Sequence, residues 1–159
     1  MEPPPNGERW ATKYPQLGTA PVPVEPNISS AYFERERELI FKRSWLNVGR
    51  TDEIPRAGDY FVKELAILKT SIIVVRGKDS VIRGFHNVCK HRGNKLAQAC
   101  NGSARSFICG FHGWSYDLAG QLVRVPDEEQ FFGLEKSDYG LTPVATDVWE
   151  GFIFVNVDP

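Results

Sequence analysis

The hydrophobic pattern changes character along the chain. Residues 1–28 carry Pro3, Pro4, Pro5, Pro15, Pro21, Pro23 and Pro26 and show no apolar period. Such a stretch is expected to run extended over a surface, or to stay disordered on its own. Ser29 and Ser30 then precede Ala31–Phe41, where glutamates and arginines alternate with Phe33, Ile40 and Phe41 on roughly one side. A serine cap followed by that spacing predicts an amphipathic helix, with Trp45 packed beneath its end. Beyond it the apolar runs become short and alternating, broken by glycine, proline and aspartate. Strands are predicted at Trp45–Val48, Asp59–Glu64, Ser71–Arg76, Val81–Val88, Ser106–Ile108, Gln121–Val123 and Phe152–Val157. Arg76–Asp79 and Asp117–Gly120 read as hairpin turns, and Asp127–Phe132 as one short helix. Closely spaced short strands imply a mostly β fold, a small antiparallel sandwich or barrel. The expected division is an arm over 1–28, a helix over 29–45 and a β domain over 46–159.

Composition narrows the class. Of 159 residues, 42% are apolar and 25% charged, the balance of a globular domain with a core of its own. A net charge of −1 implies no nucleic-acid partner. No apolar run approaches the roughly 20 residues of a membrane helix. The opening Met1-Glu2-Pro3-Pro4-Pro5 is not a secretory signal, so a cytoplasmic protein is the default expectation.

The candidate chemistry is concentrated in one place. The chain has three cysteines (Cys89, Cys100, Cys109) and three histidines (His86, His91, His112), all between positions 86 and 112. An odd, sparse cysteine count argues against a disulfide framework. Two segments stand out, Cys89-Lys90-His91-Arg92-Gly93 and Cys109-Gly110-Phe111-His112-Gly113-Trp114-Ser115-Tyr116. Each follows a predicted strand and opens a glycine-bearing loop, so two hairpin tips could converge on one site. Two thiolates and two imidazoles suit a zinc tetrahedron. They also suit an iron–sulfur cluster in which two histidines replace two cysteines on one iron. Composition does not separate the two. Spacing favours the cluster, because each loop supplies one ligand of each kind and so bridges both irons. Gly93, Gly110 and Gly113 would let backbone N–H groups approach the sulfides.

C-x-H-R-G followed by C-x-x-H-G-W-S-Y resembles the Rieske motif of the aromatic-ring-hydroxylating oxygenases, in the N-terminal domain of their large (alpha) subunit. Glu38–Trp45, Gly84-Phe85-His86-Asn87-Val88 and Gly151-Phe152-Ile153-Phe154-Val155-Asn156 extend the resemblance over the chain from about residue 30. It implies a Rieske [2Fe–2S] fold of small antiparallel sheets with an N-terminal arm and helix. It further implies a cluster held by Cys89, His91, Cys109 and His112. Respiratory Rieske proteins carry an extra disulfide-forming cysteine in each loop. Here those positions are Asn94 and Phe111, which points to the oxygenase or ferredoxin type. Freestanding Rieske ferredoxins are shorter and lack the arm and helix; such a carrier is the alternative, with a zinc-stabilised binding module behind it.

In the family, electrons arrive from a ferredoxin or reductase and pass to a mononuclear Fe(II) in a neighbouring subunit, where O₂ is activated. That iron sits in a two-histidine, one-carboxylate triad. With two of its three histidines assigned to the cluster, this chain is not expected to build the triad. The catalytic domain is expected to lie outside it, and the chain to be a fragment inactive alone in hydroxylation. The resemblance also implies a homo-oligomer, such as a trimer, or assembly with beta subunits. Lys90, Arg92 and Lys95 form a basic flank suited to an acidic donor protein, or else to solvent or to contacts with the absent catalytic domain. Cys100 reads as a bystander thiol, His86 as a structural histidine, Asp127–Glu129 as a solvated helix start, and Trp114 and Tyr116 as core residues that also pack beneath the cluster and shield it from water.

Overall fold

The computed structural model describes residues 10–18 and 20–159. Two compact units are present, one through Glu34 and the other from Arg35 to Pro159. Pro3–Pro5 lie outside the described residues. The described part of the proline-rich segment is not simply extended. It makes helical turns at Trp10–Lys13 (α1), Pro15–Leu17 (3-10) and Glu25–Ile28 (α2). Pro15 and Pro26 occupy the first two positions of their turns, where a missing N–H leaves no hydrogen bond unmade.

Helix α3 spans Ser30–Leu39. Ser29 caps it, its Oγ accepting from the Tyr32 N–H at 3.2 Å. The predicted burial of its apolar side occurs only in part. Phe33 and Ile40 are exposed, and the helix's buried residue is Arg37, whose Nε donates to the Ile67 carbonyl at 2.6 Å. The chain then tightens into a 3-10 turn, Phe41–Arg43, which brings Phe41 against the core. Of the three apolar residues expected on that side only Phe41 reaches the core, and Trp45, expected to pack beneath the helix end, stays 48% exposed at the surface.

The second unit is built on ten short strands: Leu46–Arg50 (β1), Asp59–Leu65 (β2), Thr70–Arg76 (β3), Ile82–His86 (β4), Asn101–Ser103 (β5), Phe107–Ile108 (β6), Ser115–Tyr116 (β7), Leu122–Arg124 (β8), Pro143–Trp149 (β9) and Phe152–Asn156 (β10). Seven form one sheet, in the order β1-β10-β9-β4-β3-β2-β5; β6-β7-β8 form a second. All pairings are antiparallel. Both expected hairpin turns form, with Gly77 N–H bonded to the Val81 carbonyl and Asp117 N–H to the Gln121 carbonyl. The short helix expected at 127–132 is one 3-10 turn, Glu128–Gln130.

The run Ser71-Ile72-Ile73-Val74-Val75 explains how the unit is packed. Side chains alternate across a strand, so an unbroken apolar run means burial on both faces. Ile72 and Val74 face a core with Val48, Ile54, Phe61, Ile153 and Val155. Ile73 and Val75 face the other, with Phe85, Phe107, Trp114, Tyr116 and Leu122. Cys89 and Cys109 belong to this second core. Strand β3 therefore separates a purely structural core from the one that supports the cysteine loops.

Candidate metal centre

The two motif segments leave parallel positions in the two sheets. The first follows β4; the second joins β6 to β7. Their backbones repeat one design. Cys89 N–H donates to the Asn94 carbonyl and Gly93 N–H to the Cys89 carbonyl; Cys109 N–H donates to the Trp114 carbonyl and Gly113 N–H to the Cys109 carbonyl. In each loop the chain turns back at a glycine four residues after the cysteine. Gly93 has φ +71° and Gly113 φ +72°, a left-handed conformation costly for other residues. Gly110, also expected to matter, has neither a positive φ nor a neighbour within 4 Å of an added Cβ.

The cysteines lie at the bottom of these loops and the histidines toward solvent. Cys89 and Cys109 are 1% and 2% exposed, whereas His91 is half-buried and His112 exposed. The His91 and His112 rings stand edge-to-face, 4.6 Å between centroids. The four side chains thus divide into a buried thiol pair and an outer imidazole pair. Among the described residues, no three His, Cys, Asp or Glu side chains surround a single point suited to one ion.

The surroundings of the thiols are chemically one-sided. Tyr116 Oη accepts the Lys90 N–H at 3.0 Å and lies 3.3 Å from Cys89 Sγ, where its hydroxyl is the donor whenever the sulfur is a thiolate. The backbone N–H of His91 favours the thiolate at Cys89, and those of Phe111 and His112 favour it at Cys109. Burial pushes the Cys89 thiol above its ordinary pKa, against the pull of Tyr116 and His91. Burial pushes the same way at Cys109, but the Phe111 and His112 N–H groups, Cys89 and Asn94 outweigh it, and the net shift is downward. Buried sulfurs ringed by donors are a poor setting for apolar thiols. They suit thiolates that share their charge with metal, so the donor set fits a sulfur-ligated cluster.

The histidine side is held by aromatic rings. Trp114, 2% exposed, stacks on His91 with centroids 4.8 Å apart and 9° between planes. Phe131 and Tyr139 meet Trp114 edge-on. The His91 pKa lies below the ordinary histidine value because of burial first, then the charges of His112 and Arg92. That favours the neutral ring a metal requires. Trp114 and Tyr116 do pack beneath the loops, as expected; the hydrogen bonding of Tyr116 was not legible, since no local pattern links it to a cysteine 27 residues earlier.

Asn87, 1% exposed, fastens the first loop. Its Oδ1 accepts from the Leu96 and Ala97 N–H groups at 3.0 and 2.9 Å, and its Nδ2 donates to the Ala97 carbonyl at 2.9 Å. Sequence reading passed over it as part of a strand. Asn87→Ala leaves those backbone groups buried without partners. A loss of about 1–3 kcal/mol in urea unfolding is expected; no measurable loss would mean that the loop closes without the clasp.

The other residues are accounted for individually. His86 sits in β4 with Nδ1 3.0 Å from Thr70 Oγ1, and burial, then Lys90, lowers its pKa. Cys100 is an exposed free thiol. The basic flank is partly neutralised: Lys95 pairs with Glu64 at 2.6 Å and Lys90 donates to Thr142 Oγ1 at 2.9 Å, while Arg92 lies over the Phe111 ring. No helix among the described residues is long and apolar enough to cross a membrane.

Known proteins share this arrangement. Residues 44–145 match the Rieske [2Fe-2S] domain. The alpha subunit of biphenyl 2,3-dioxygenase from Rhodococcus jostii strain RHA1 is 44% identical over 138 residues, which are 85% of this chain and 30% of that protein. The crystal structure of naphthalene 1,2-dioxygenase from Rhodococcus sp. bound to indole superposes with a TM-score of 0.81 at 37% identity, covering 87% of this chain and 32% of that one. A quaternary ammonium Rieske monooxygenase structure, described as giving insight into carnitine oxidation and inter-subunit electron transfer, superposes with a TM-score of 0.80 at 34% identity, covering 86% and 37%. The chain thus spans about a third of the length of these relatives. With a domain match over most of its length and two glycine-turned Cys/His loops over a shared core, the chain belongs to the Rieske [2Fe–2S] domain family.

Proposed function

We propose that Cys89 and Cys109 hold one iron of a [2Fe–2S] cluster, that His91 and His112 hold the other, and that this domain relays single electrons within a ring-hydroxylating type of oxygenase. The observation carrying the assignment is the split of the four side chains into a buried, donor-ringed thiol pair and an outer imidazole pair. When bound, such a cluster supplies one-electron chemistry at a higher potential than a four-cysteine centre, because neutral imidazoles replace two negative thiolates. The protein's part is positional. Cys89 and Cys109 keep the sulfur end dry, Trp114 holds the plane of His91, and His112 presents its ring to the surface.

In the complete protein the electron would come from a ferredoxin or reductase and pass to a mononuclear non-haem iron that activates O₂. The dioxygenase and monooxygenase relatives support this reading. Being named as subunits, and in one case described by inter-subunit transfer, they also support an oligomer, either of this subunit alone or with a second kind. The 46–159 segment is proposed as the cluster-binding domain, preceded by an arm (1–28) and a helix (29–45). A cytoplasmic location goes with this reading.

The protein reconstituted with iron and sulfide is expected to be reddish-brown and to give, once reduced, an EPR spectrum of low average g. A colourless protein with stoichiometric zinc would overturn the assignment.

A further inference from the structure

Asn94 closes the first loop, and its side chain crosses to the second. Its Nδ2 donates to the Lys95 carbonyl at 3.0 Å and lies 3.6 Å from Cys109 Sγ. Both neighbours are acceptors. A flipped amide would set Oδ1 against a carbonyl oxygen and a sulfur, so the network itself decides that nitrogen faces them. An NH₂ group has two protons, one for each partner. The arrangement mirrors Tyr116, which follows the second loop and donates back to Cys89 of the first. Each buried sulfur therefore receives one side-chain donor from the opposite loop, besides the backbone N–H groups of its own.

We infer that Asn94 is a positioning residue for electron transfer: its side-chain N–H holds the Cys109 sulfur across the two loops and raises the reduction potential of the cluster. The inference rests on the ligand assignment proposed above. The step concerned is addition of one electron, from a reductant of the ferredoxin or reductase class, to the oxidised cluster. No bond to a ligand breaks. The added negative charge is shared with the sulfurs, and a donor aimed at sulfur favours the reduced form.

The test uses the reconstituted holoprotein. In Asn94→Leu, similar in volume but without a donor, reduction is expected to become up to tenfold less favourable. That is a fall of up to about 59 mV in midpoint potential for a one-electron couple. A role confined to loop packing would lower thermal stability and leave the midpoint where it was. A parallel measurement on the unmodified sequence does not depend on the variant folding. With asparagine labelled only at its side-chain nitrogen with ¹⁵N, pulsed EPR of the reduced protein is expected to show a ¹⁵N coupling, absent after Asn94→Leu. An unchanged midpoint in the variant overturns the inference. Where the variant holds no cluster, absence of the coupling in the unmodified protein overturns it. A protein of unmodified sequence lacking any Rieske spectrum overturns the ligand assignment instead, so the two failures are distinct.

Discussion

Cys109→Ala is expected to abolish the cluster. Iron and acid-labile sulfide should fall from about two of each per chain to near zero, with loss of visible colour and of the EPR signal. The thiol sits at the base of the second loop, 2% exposed, with the Phe111 and His112 N–H groups favouring its thiolate. No other cysteine can substitute for it. Cys89 is already one of the pair, and Cys100 is exposed and outside the second core. Because a cluster forms only where its ligands are assembled, losing one thiolate removes binding energy that also stabilises the loops. Cys100→Ala is the matched control and should keep full cluster content. Cluster content in Cys109→Ala equal to that of the unmodified protein would remove Cys109 from the ligand set.

Trp114→Ala should cost about 3–5 kcal/mol of stability, the range for deleting a large buried aromatic side chain. Trp114 lies in the core beneath both loops, stacked on His91 and met edge-on by Phe131 and Tyr139. Its removal opens a cavity beside the histidine end of the site, so His91 loses the surface that fixes its ring plane. The effect is read as a lower urea midpoint, with loosened or lost cluster binding. Trp149, at the tip of the β9–β10 hairpin, is 68% exposed. Its replacement by alanine should stay within about 0.5 kcal/mol of the unmodified protein. Equal costs at the two positions would show that the loops do not depend on the packing of Trp114.

The contrast between those tryptophans shows where sequence reading succeeds. Trp114 was placed beneath the loops because it follows His112 inside a dense motif. The sequence puts Trp45 beneath the end of the helix, since an aromatic residue after an amphipathic helix ordinarily packs there. A 3-10 turn at Phe41–Arg43 brings Phe41 against the core instead. Nothing local announces the turn, whose Arg43 carbonyl accepts from Asn156 Nδ2, 113 residues further on, at 3.1 Å. The strands behaved the same way. β3 was legible from its apolar run and β10 from its own. β5 (Asn101-Gly102-Ser103) has no apolar residue and exists as a strand through its pairing with β2. β7 has two residues and is held between β6 and β8. β9 begins at a proline and alternates poorly, yet it bridges β4 and β10. For these three strands the stabilising partner is remote, so local propensity carries little information.

By itself, the sequence determined the chemical make-up of the candidate site: two cysteines, two histidines and glycines at the turning points of two loops. It also determined the mostly β class, because ligand types, turn residues and apolar periods are local properties. Only the tertiary structure decided which side chains act on the sulfurs. Tyr116 and Asn94 reach cysteines 27 and 15 residues away, and Asn87 closes a loop nine and ten residues beyond itself. Such contacts depend on how two sheets bring separate loops over one core. A hydrogen bond needs its partners within a few tenths of an ångström, and that placement comes from packing rather than from residue order.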